Sequence, residues 1–315
     1  MIYRGLIVGV GNIGAMYDID SKQVSTYAKA CSLDATIEFD IFDINPVLLQ
    51  IVSAKYNCKI ISQLNREVLE KYDFVVISSP TPTHYSYLRL LLGMNIKLII
   101  CEKPVDTDLK RLKELESLYR ASTSKVIVNY YRRFQIGVAK LKRTIDQILL
   151  NEKCTNILIK YQRGFHNNAS HAFDLLNYLF NRNLGFSNLQ VGIKSFDEFK
   201  DDATVNFSGN WGKINIMFMG LRNVQFSHFE TELYFEKSAI FLKNGCNEIE
   251  FYETPLKNGH FYPKLQLKRV QKNVLNNYMI SVLNHAKKVI KQKTIKDNFI
   301  ESVEISKNII NIINK

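Results

Sequence analysis

The chain has 315 residues, 46% hydrophobic, 11% aromatic and 23% charged, and a formal net charge of +12. This composition excludes disordered, collagen-like and low-complexity chains. The surplus Lys and Arg lie beside Asp and Glu along the whole chain, as in DLKRLKELESLYR, which predicts a solvated surface rather than a nucleic-acid-binding face. Tyr3–Val8 is a short apolar run that ends in glycines, and Thr36–Phe42 is a second strand candidate. Pro46–Tyr56 reads as a helix with proline in its first turn. Lys59–Ser62 is a short third strand candidate, and Phe74–Ser78 is a fourth, apolar enough to be buried on both faces. Thr83–Leu92 is helical, Lys97–Cys101 is a fifth strand, Asp106–Ser122 is helical and Lys125–Asn129 is a sixth strand. Strands alternating with helices in this way predict a parallel sheet with helices on both faces.

The second half has a different grammar. Gly137–Leu150 is helical, Thr155–Gln162 is a strand, and a helix spans residues 169–180. Strand candidates then follow with few helices between them: Thr204–Phe207, Lys213–Met219, Phe226–Phe235, Ala239–Leu242 and Glu248–Tyr252. These predict an α+β domain with an open, largely antiparallel sheet. Helices near Leu275–Ile290 and Phe299–Ile313 close the chain. The change of pattern places a boundary between residues 1–128, a parallel-sheet domain of Rossmann type, and residues 129–315, a second, α+β domain. In KINIMFMG, Ile214, Ile216 and Phe218 point one way and Met217 and Met219 the other, so both faces are apolar. A second subunit is the expected cover, which predicts a homodimer or homotetramer.

No apolar run reaches the roughly 18–20 residues that span a bilayer. The opening MIYRGLIVGVG lacks the charged and apolar blocks of a leader, which predicts a cytoplasmic protein with no membrane partner. The five cysteines are scattered without a CxxC pair, so neither a disulfide framework nor a metal site is expected.

The strongest local signal is Gly9-Val10-Gly11-Asn12-Ile13-Gly14, directly after the first strand. The first glycine allows a tight turn, the second lets the backbone approach a pyrophosphate, and the third lets a helix pack closely on the strand. The N–H groups and positive end of that helix then face the phosphates. Gly9, Gly11, Asn12, Ile13 and Gly14 are therefore candidate cofactor contacts. Asp43, at the end of the second strand, is the candidate for the adenosine ribose, somewhat farther from Gly14 than the usual ~20 residues. Asp40 competes for the role, and Asp43 has the alternative of capping the helix at Asn45-Pro46. An acid at this place repels a 2′-phosphate, so NAD is expected over NADP.

Four further segments follow in order: SSPTPTH (Ser78–His84), CEKP (Cys101–Pro104), NYYRRF (Asn129–Phe134) and HNNASHAFD (His166–Asp174). With the glycine turn they resemble the Gfo/Idh/MocA oxidoreductases, which include inositol, glucose and nucleotide-sugar dehydrogenases. The resemblance covers the first domain and the first long helix of the second, and beyond about residue 185 it rests on strand pattern. NYYRRF with HNNASH is most similar to members associated with bacterial surface-glycan biosynthesis.

The resemblance implies hydride transfer between a nicotinamide and a secondary alcohol or ketone of a sugar, a nucleotide sugar above all. It implies Lys103 as the proton shuttle, in a place where like charge and burial disfavour the ammonium form. His171 and Asp174 share one helical face and would assist transfer and orient the pair. Ser79, Pro80, Thr81 and His84 would line the cofactor, although His84 has the alternative of a structural residue at a helix start. Glu102 would meet the nicotinamide ribose or orient Lys103. Tyr161, Arg163 and His166 lead into the helix and would reach substrate. Arg132 or Arg133 would bind an anionic substrate group or a carboxylate of the scaffold. Many members carry Asp where this chain has Asn167. An amide cannot act as a general base, although it can still hydrogen-bond a sugar. That departure opens a second reading, a non-catalytic NAD-binding sensor or scaffold of the same fold.

Overall fold

The structure is a computed structural model that describes residues 2–94, 96–196, 199–255, 263–292 and 294–315. The chain divides into two compact units, Met1–Phe134 with Asn277–Lys307, and Gln135–Asn276 with Asn308–Lys315. In chain order the first unit holds β1 (Tyr3–Val8), α1 (Tyr27–Ser32), β2 (Ile37–Phe42), α2 (Pro46–Tyr56), a short α3 (Arg66–Leu69), β3 (Phe74–Ile77), α4 (His84–Leu92), β4 (Leu98–Cys101), α5 (Leu109–Ala121) and β5 (Lys125–Val128). The second unit follows with α6 (Ile136–Ile148), β6 (Cys154–Tyr161), α7 (Ser170–Phe180), β7 (Ser187–Ser195), β8 (Thr204–Trp211), β9 (Ile214–Gly220), β10 (Phe229–Phe235), β11 (Ser238–Lys243), β12 (Glu248–Glu253) and β13 (Gln266–Lys272). Two helices, α8 (Tyr278–Lys291) and α9 (Phe299–Ile313), close the chain.

The first unit is a five-stranded parallel sheet in the order β2-β1-β3-β4-β5. Strand order reverses at β1, so the carboxyl ends of β1 and β3 flank the crevice where doubly wound sheets bind ligands. The expected strand at Lys59–Ser62 is reduced to one parallel bridge, Ile60 to Ile41 on the outer side of β2. Its backbone makes two bonds there, Ile41 N to Lys59 O and Ile61 N to Ile41 O (2.9 and 2.8 Å), before the chain leaves the sheet. Alternation sends Ile7, Ile41, Val76, Ile100 and Ile127 into one core layer, where α8 adds Met279, Val282, Leu283, Ala286 and Val289. Burial of that apolar stripe draws the chain back into the first unit at Asn277. The division therefore differs from a single cut after residue 128.

In the second unit eight strands run in the order β13-β12-β11-β10-β6-β9-β8-β7. Neighbours are antiparallel except for β6 and β9. Phe165, Phe173, Phe207 and Phe218 pack between α7 and the sheet, with Phe207 stacked on Phe218 at 4.4 Å. On β9, Ile216 and Phe218 are buried while Met217 and Met219 are 47% and 36% exposed, so the strand faces are as the alternation predicts. Among the described residues no helix is long and apolar enough to cross a membrane.

Candidate active site

The three glycines of the first turn play three separable roles. Gly9 has φ +93°, and a Cβ there would lie 2.5 Å from Ser79 N. A Cβ on Gly14 would lie 2.1 Å from Gly9 O, to which the Ser78 hydroxyl also donates (2.7 Å). These two glycines are therefore demanded by the protein's own packing. A Cβ on Gly11 would meet nothing within 4 Å among the described residues, so its missing side chain leaves open space at the loop surface. Behind it the expected helix is replaced by one turn of π geometry, Asn12–Met16. Ile13 packs its side chain against the core, and Asn12 is exposed. The crossover then continues through a loop built on buried Asp18. Its carboxylate accepts from the N–H groups of Ser25 and Thr26 (2.6 and 2.9 Å) and from the Thr26 hydroxyl (2.6 Å) before α1 begins.

Asp43 closes this turn from the neighbouring strand. Val10 N–H donates to Oδ2 (2.7 Å) and Asn45 N–H to Oδ1 (2.9 Å). Each carboxylate oxygen keeps a second lone pair for a hydroxyl. The α2 cap is Asn45, whose side chain accepts from Val47 and Leu48 N–H. The competitor Asp40 accepts from the Tyr72 hydroxyl (2.8 Å) and is engaged elsewhere.

The ends of β3, β4 and β5 carry the next group. Ser79 Oγ and Thr83 Oγ1 are 2.6 Å apart, Pro80 is exposed and Thr81 is half-buried. His84 is buried, with Nε2 2.9 Å from Ser79 O and Nδ1 2.8 Å from Pro104 O. Both nitrogens thus meet backbone carbonyls, and the ring braces the β3 loop against the β4 loop. Of the two roles open to His84, this geometry favours the structural one. Lys103 is half-buried, directly after Glu102, and its peptide bond to Pro104 is cis. Glu102 is buried and accepts on Oε1 from the Tyr27 hydroxyl (2.8 Å) and Asn129 Nδ2 (2.7 Å). Burial and the adjacent Glu102 carboxylate push the Tyr27 hydroxyl well above its usual range, so it stays a donor. Asn129 Oδ1 is buried and accepts no hydrogen bond from the described residues. Arg132 is buried with its guanidinium over the Tyr131 ring at 4.7 Å. Arg133 pairs with Glu301 of α9 (2.9 Å), so this arginine serves a carboxylate of the scaffold.

In the second unit Arg163, His166 and Asn167 lie on one turn that leads into α7. Arg163 has φ +70° and holds its guanidinium over Phe199 at 5.6 Å. Residues Phe165–Ala169 form a π turn, and α7 follows with His171 and Asp174 buried one helical turn apart. Asn167 Nδ2 donates to Arg163 O (3.1 Å) and Asn168 Nδ2 to Gln162 O (2.8 Å). Tyr161 does not join this group. Its buried hydroxyl donates to Val205 O (2.7 Å) and accepts from Val205 N–H (2.8 Å), bolting β6 to β8 through the core. A groove of about 670 Å³ opens beside the turn, lined by Gln162, Arg163, Asn223, Gln225 and the exposed Phe226.

Three of these residues escaped sequence reasoning. Asp202 accepts from the N–H groups of Phe165, His166 and Asn167 (2.9, 2.9 and 2.7 Å), and Thr204 Oγ1 accepts from Gly164 N–H (3.0 Å). Tyr27 sits in the inserted part of the crossover. No motif flags them, because each contact joins segments far apart in the chain.

Residues 3–130 match the model of the Gfo/Idh/MocA family, an oxidoreductase family with an NAD-binding Rossmann fold. The family match thus covers the first domain and does not extend into the second. An inositol 2-dehydrogenase of Rhizobium meliloti (strain 1021) is 27% identical over 152 residues, which are 48% of this chain and 43% of that enzyme. The match thus spans less than half of the relative's length. A UDP-N-acetylglucosamine 3-dehydrogenase from Acidithiobacillus ferrooxidans superposes with a TM-score of 0.78 at 12% identity, covering 100% of this chain and 97% of that one. A Desulfitobacterium hafniense protein assigned as an NADPH-dependent oxidoreductase superposes with a TM-score of 0.79 at 12% identity, covering 98% and 94%. At these identities the likeness is one of fold.

The residues of this first domain fit a dinucleotide. The open space at Gly11 leaves its backbone accessible to a ligand, the N–H groups of the π turn start beside it, and Asp43 offers acceptors for ribose hydroxyls. Asn129 Oδ1 adds a buried acceptor at the end of β5, on the same carboxyl edge of the sheet as Lys103.

Proposed function

We propose that the protein is an NAD-dependent dehydrogenase or reductase acting on a secondary alcohol or ketone of a sugar, with nucleotide sugars of glycan biosynthesis as the favoured substrates. The first unit is read as the dinucleotide-binding domain and the second as the domain for substrate and oligomerisation. The observation that carries the reading is the glycine turn. Two of its glycines are required by packing, and the third faces open space that leaves room for a pyrophosphate to approach the backbone. When bound, NAD supplies the hydride acceptor or donor at its nicotinamide.

The chain's own residues do the rest. Lys103 takes or returns the hydroxyl proton, and His171 shares that load with Asp174 orienting it. Glu102, held by Tyr27 and Asn129, keeps the backbone before Lys103 in place. Asn167 hydrogen-bonds a sugar hydroxyl or an N-acetyl group, and His166 and Arg163 flank it. The groove beside Arg163 supports an extended substrate, with a cation for phosphate and Phe226 for stacking. Arg132 or Arg133 is the candidate for an anionic group nearer the cofactor, and Arg133 also pairs with Glu301. Preference for NAD over NADP rests on Asp43. The exposed Met217 and Met219 support a homodimer or homotetramer, tested by light scattering at micromolar concentration, where a monomer mass refutes it.

Titration of NADH and NADPH by fluorescence tests the core of the reading. Tight NADH and weak NADPH binding are expected, followed by turnover with a nucleotide sugar that Lys103→Ala abolishes while NADH binding is kept. Asn167 favours a second reading, a cofactor-binding sensor, because its amide donates to Arg163 O and cannot take a proton. Tight NADH binding with no turnover of any sugar, in wild type and Lys103→Ala alike, would establish that reading instead.

A further inference from the structure

Asp202 lies outside every motif, yet it makes the densest set of backbone bonds in the second unit's turn. Oδ1 accepts from the N–H groups of Phe165 and His166 at 2.9 Å each, and Oδ2 accepts from Asn167 N–H at 2.7 Å. These are first-turn N–H groups, which have no partner within the helix that follows. The position of the carboxylate is matched by a glycine. Gly164 stands at φ +85°, and a Cβ on it would lie 2.1 Å from Asp202 Oδ2. Gly164 N–H donates to Thr204 Oγ1 (3.0 Å), and Phe165 N–H also reaches Ala203 O (2.9 Å), so three consecutive residues, Asp202 to Thr204, bracket the turn.

We propose that Asp202 is a positioning residue: it fixes the turn that presents His166 and Asn167 and sets the entry of α7, which carries His171 and Asp174. The catalytic part of this proposal rests on the dehydrogenase reading above. The arrangement has a consequence for recognition. A helix start usually attracts anions, but here its N–H groups are already taken by a protein carboxylate. This turn therefore disfavours an anion and suits a neutral hydroxyl or amide of the sugar.

The test uses the full-length protein with Asp202→Asn, which keeps size and removes the charge and one accepting oxygen. Hydrogen exchange over residues 164–169 should accelerate at least tenfold while peptides of β1 and β3 and the NADH affinity stay unchanged. With the sugar found by screening, kcat per NADH-binding site should fall about 10–100-fold with little change in the KM for NADH, as expected for a misplaced reacting group. A merely structural residue would lower the number of binding sites and leave kcat per site intact. Unchanged exchange in the turn, or faster exchange with unchanged kcat per site, overturns the proposal. If wild type turns over no sugar, the dehydrogenase reading fails separately. The positioning is then read from the ring signals of labelled His166 and His171, which shift in the variant if Asp202 orients the turn and helix and stay in place if it does not. Should Asp202→Asn not fold, the amide resonances of Phe165, His166 and Asn167 decide. They must move together in Asp202→Glu, which keeps the charge and displaces the carboxylate, and independent or absent movement overturns the proposal.

Discussion

Replacing each glycine of the first turn by alanine separates the needs of the fold from the needs of the cofactor. Gly9→Ala places a methyl 2.5 Å from Ser79 N, where 3.4–4 Å is ordinary contact, and holds a side chain at φ +93°. Gly14→Ala places one 2.1 Å from Gly9 O. Backbone must shift in both, so each variant should lose more than about 2 kcal/mol, as overpacking in a tight interior does. Gly11→Ala is the opposite case. Its φ of −69° and ψ of −151° are extended and suit alanine, and nothing among the described residues meets the methyl. Restricting the unfolded chain should even stabilise the protein by about 0.4–1 kcal/mol, which raises Tm by about 1–3 °C for a chain of this size. The same methyl would fill the space proposed for the pyrophosphate, so NADH affinity should fall at least tenfold, about 1.4 kcal/mol. Thermal unfolding and NADH fluorescence on the three variants give both readouts. Gly11→Ala that binds NADH within twofold of wild type, or Gly9→Ala as stable as wild type, would refute the division of roles.

Asp43→Asn keeps an acceptor for Val10 N–H but removes the charge, so the ratio of NADH to NADPH affinity should narrow at least tenfold in paired titrations. Tyr161→Phe leaves Val205 N–H and C=O without their shared hydroxyl and should cost about 1–3 kcal/mol in urea unfolding, with no change in substrate KM. His285 packs on Phe134 and is pushed down to about 4 by burial and then by Lys288 and Arg133. The unfolded chain therefore binds a proton that the folded chain refuses between the ordinary histidine value near 6.5 and about 4, and stability should fall as pH drops through that window. His285→Phe should flatten that part of the stability–pH curve, and an unchanged slope would assign it to other groups.

What was legible in the chain follows from the range of the interactions. The buried strands β1, β3 and β4 announce themselves as apolar runs, because both faces are covered. The edge strands β7 and β13 went unread. Nearly every side chain of β13 is exposed and three are basic, which protects an edge but erases alternation. The Lys59–Ser62 run has strand-like residues but pairs at one position only, and composition does not reveal how long pairing lasts. The helix after Gly14 fails for a local reason, since the loop is organised by Asp18 through short-range bonds to Ser25 and Thr26 that compete with helix. The return of α8 to the first sheet is a long-range packing event that its amphipathic pattern permits without naming the partner. The same logic divides the site. Gly9, Asp43, Lys103 and His171 sit in contiguous motifs, whereas Asp202 and Tyr27 act across gaps that no spacing rule spans.

Asn167 shows why a family position should be read through its local bonds. Restoring the acid with Asn167→Asp looks like a repair of proton transfer. In this chain the side-chain Nδ2 donates to Arg163 O at 3.1 Å, and the backbone N–H of the same residue donates to Asp202. An aspartate cannot donate, so its oxygen would face the Arg163 carbonyl, and a second carboxylate would sit on a turn already held by one. The lost bond and the opposed lone pairs should cost about 1–3 kcal/mol at this half-buried site. The expected result is a lower Tm, no gain in turnover and unchanged NADH affinity. Asn167→Ala, which removes the bond without adding charge, should lose less stability than Asn167→Asp. A rise in turnover for Asn167→Asp with stability intact would show that the turn re-forms around an acid, and the amide would then be a loss of function rather than part of a rebuilt turn.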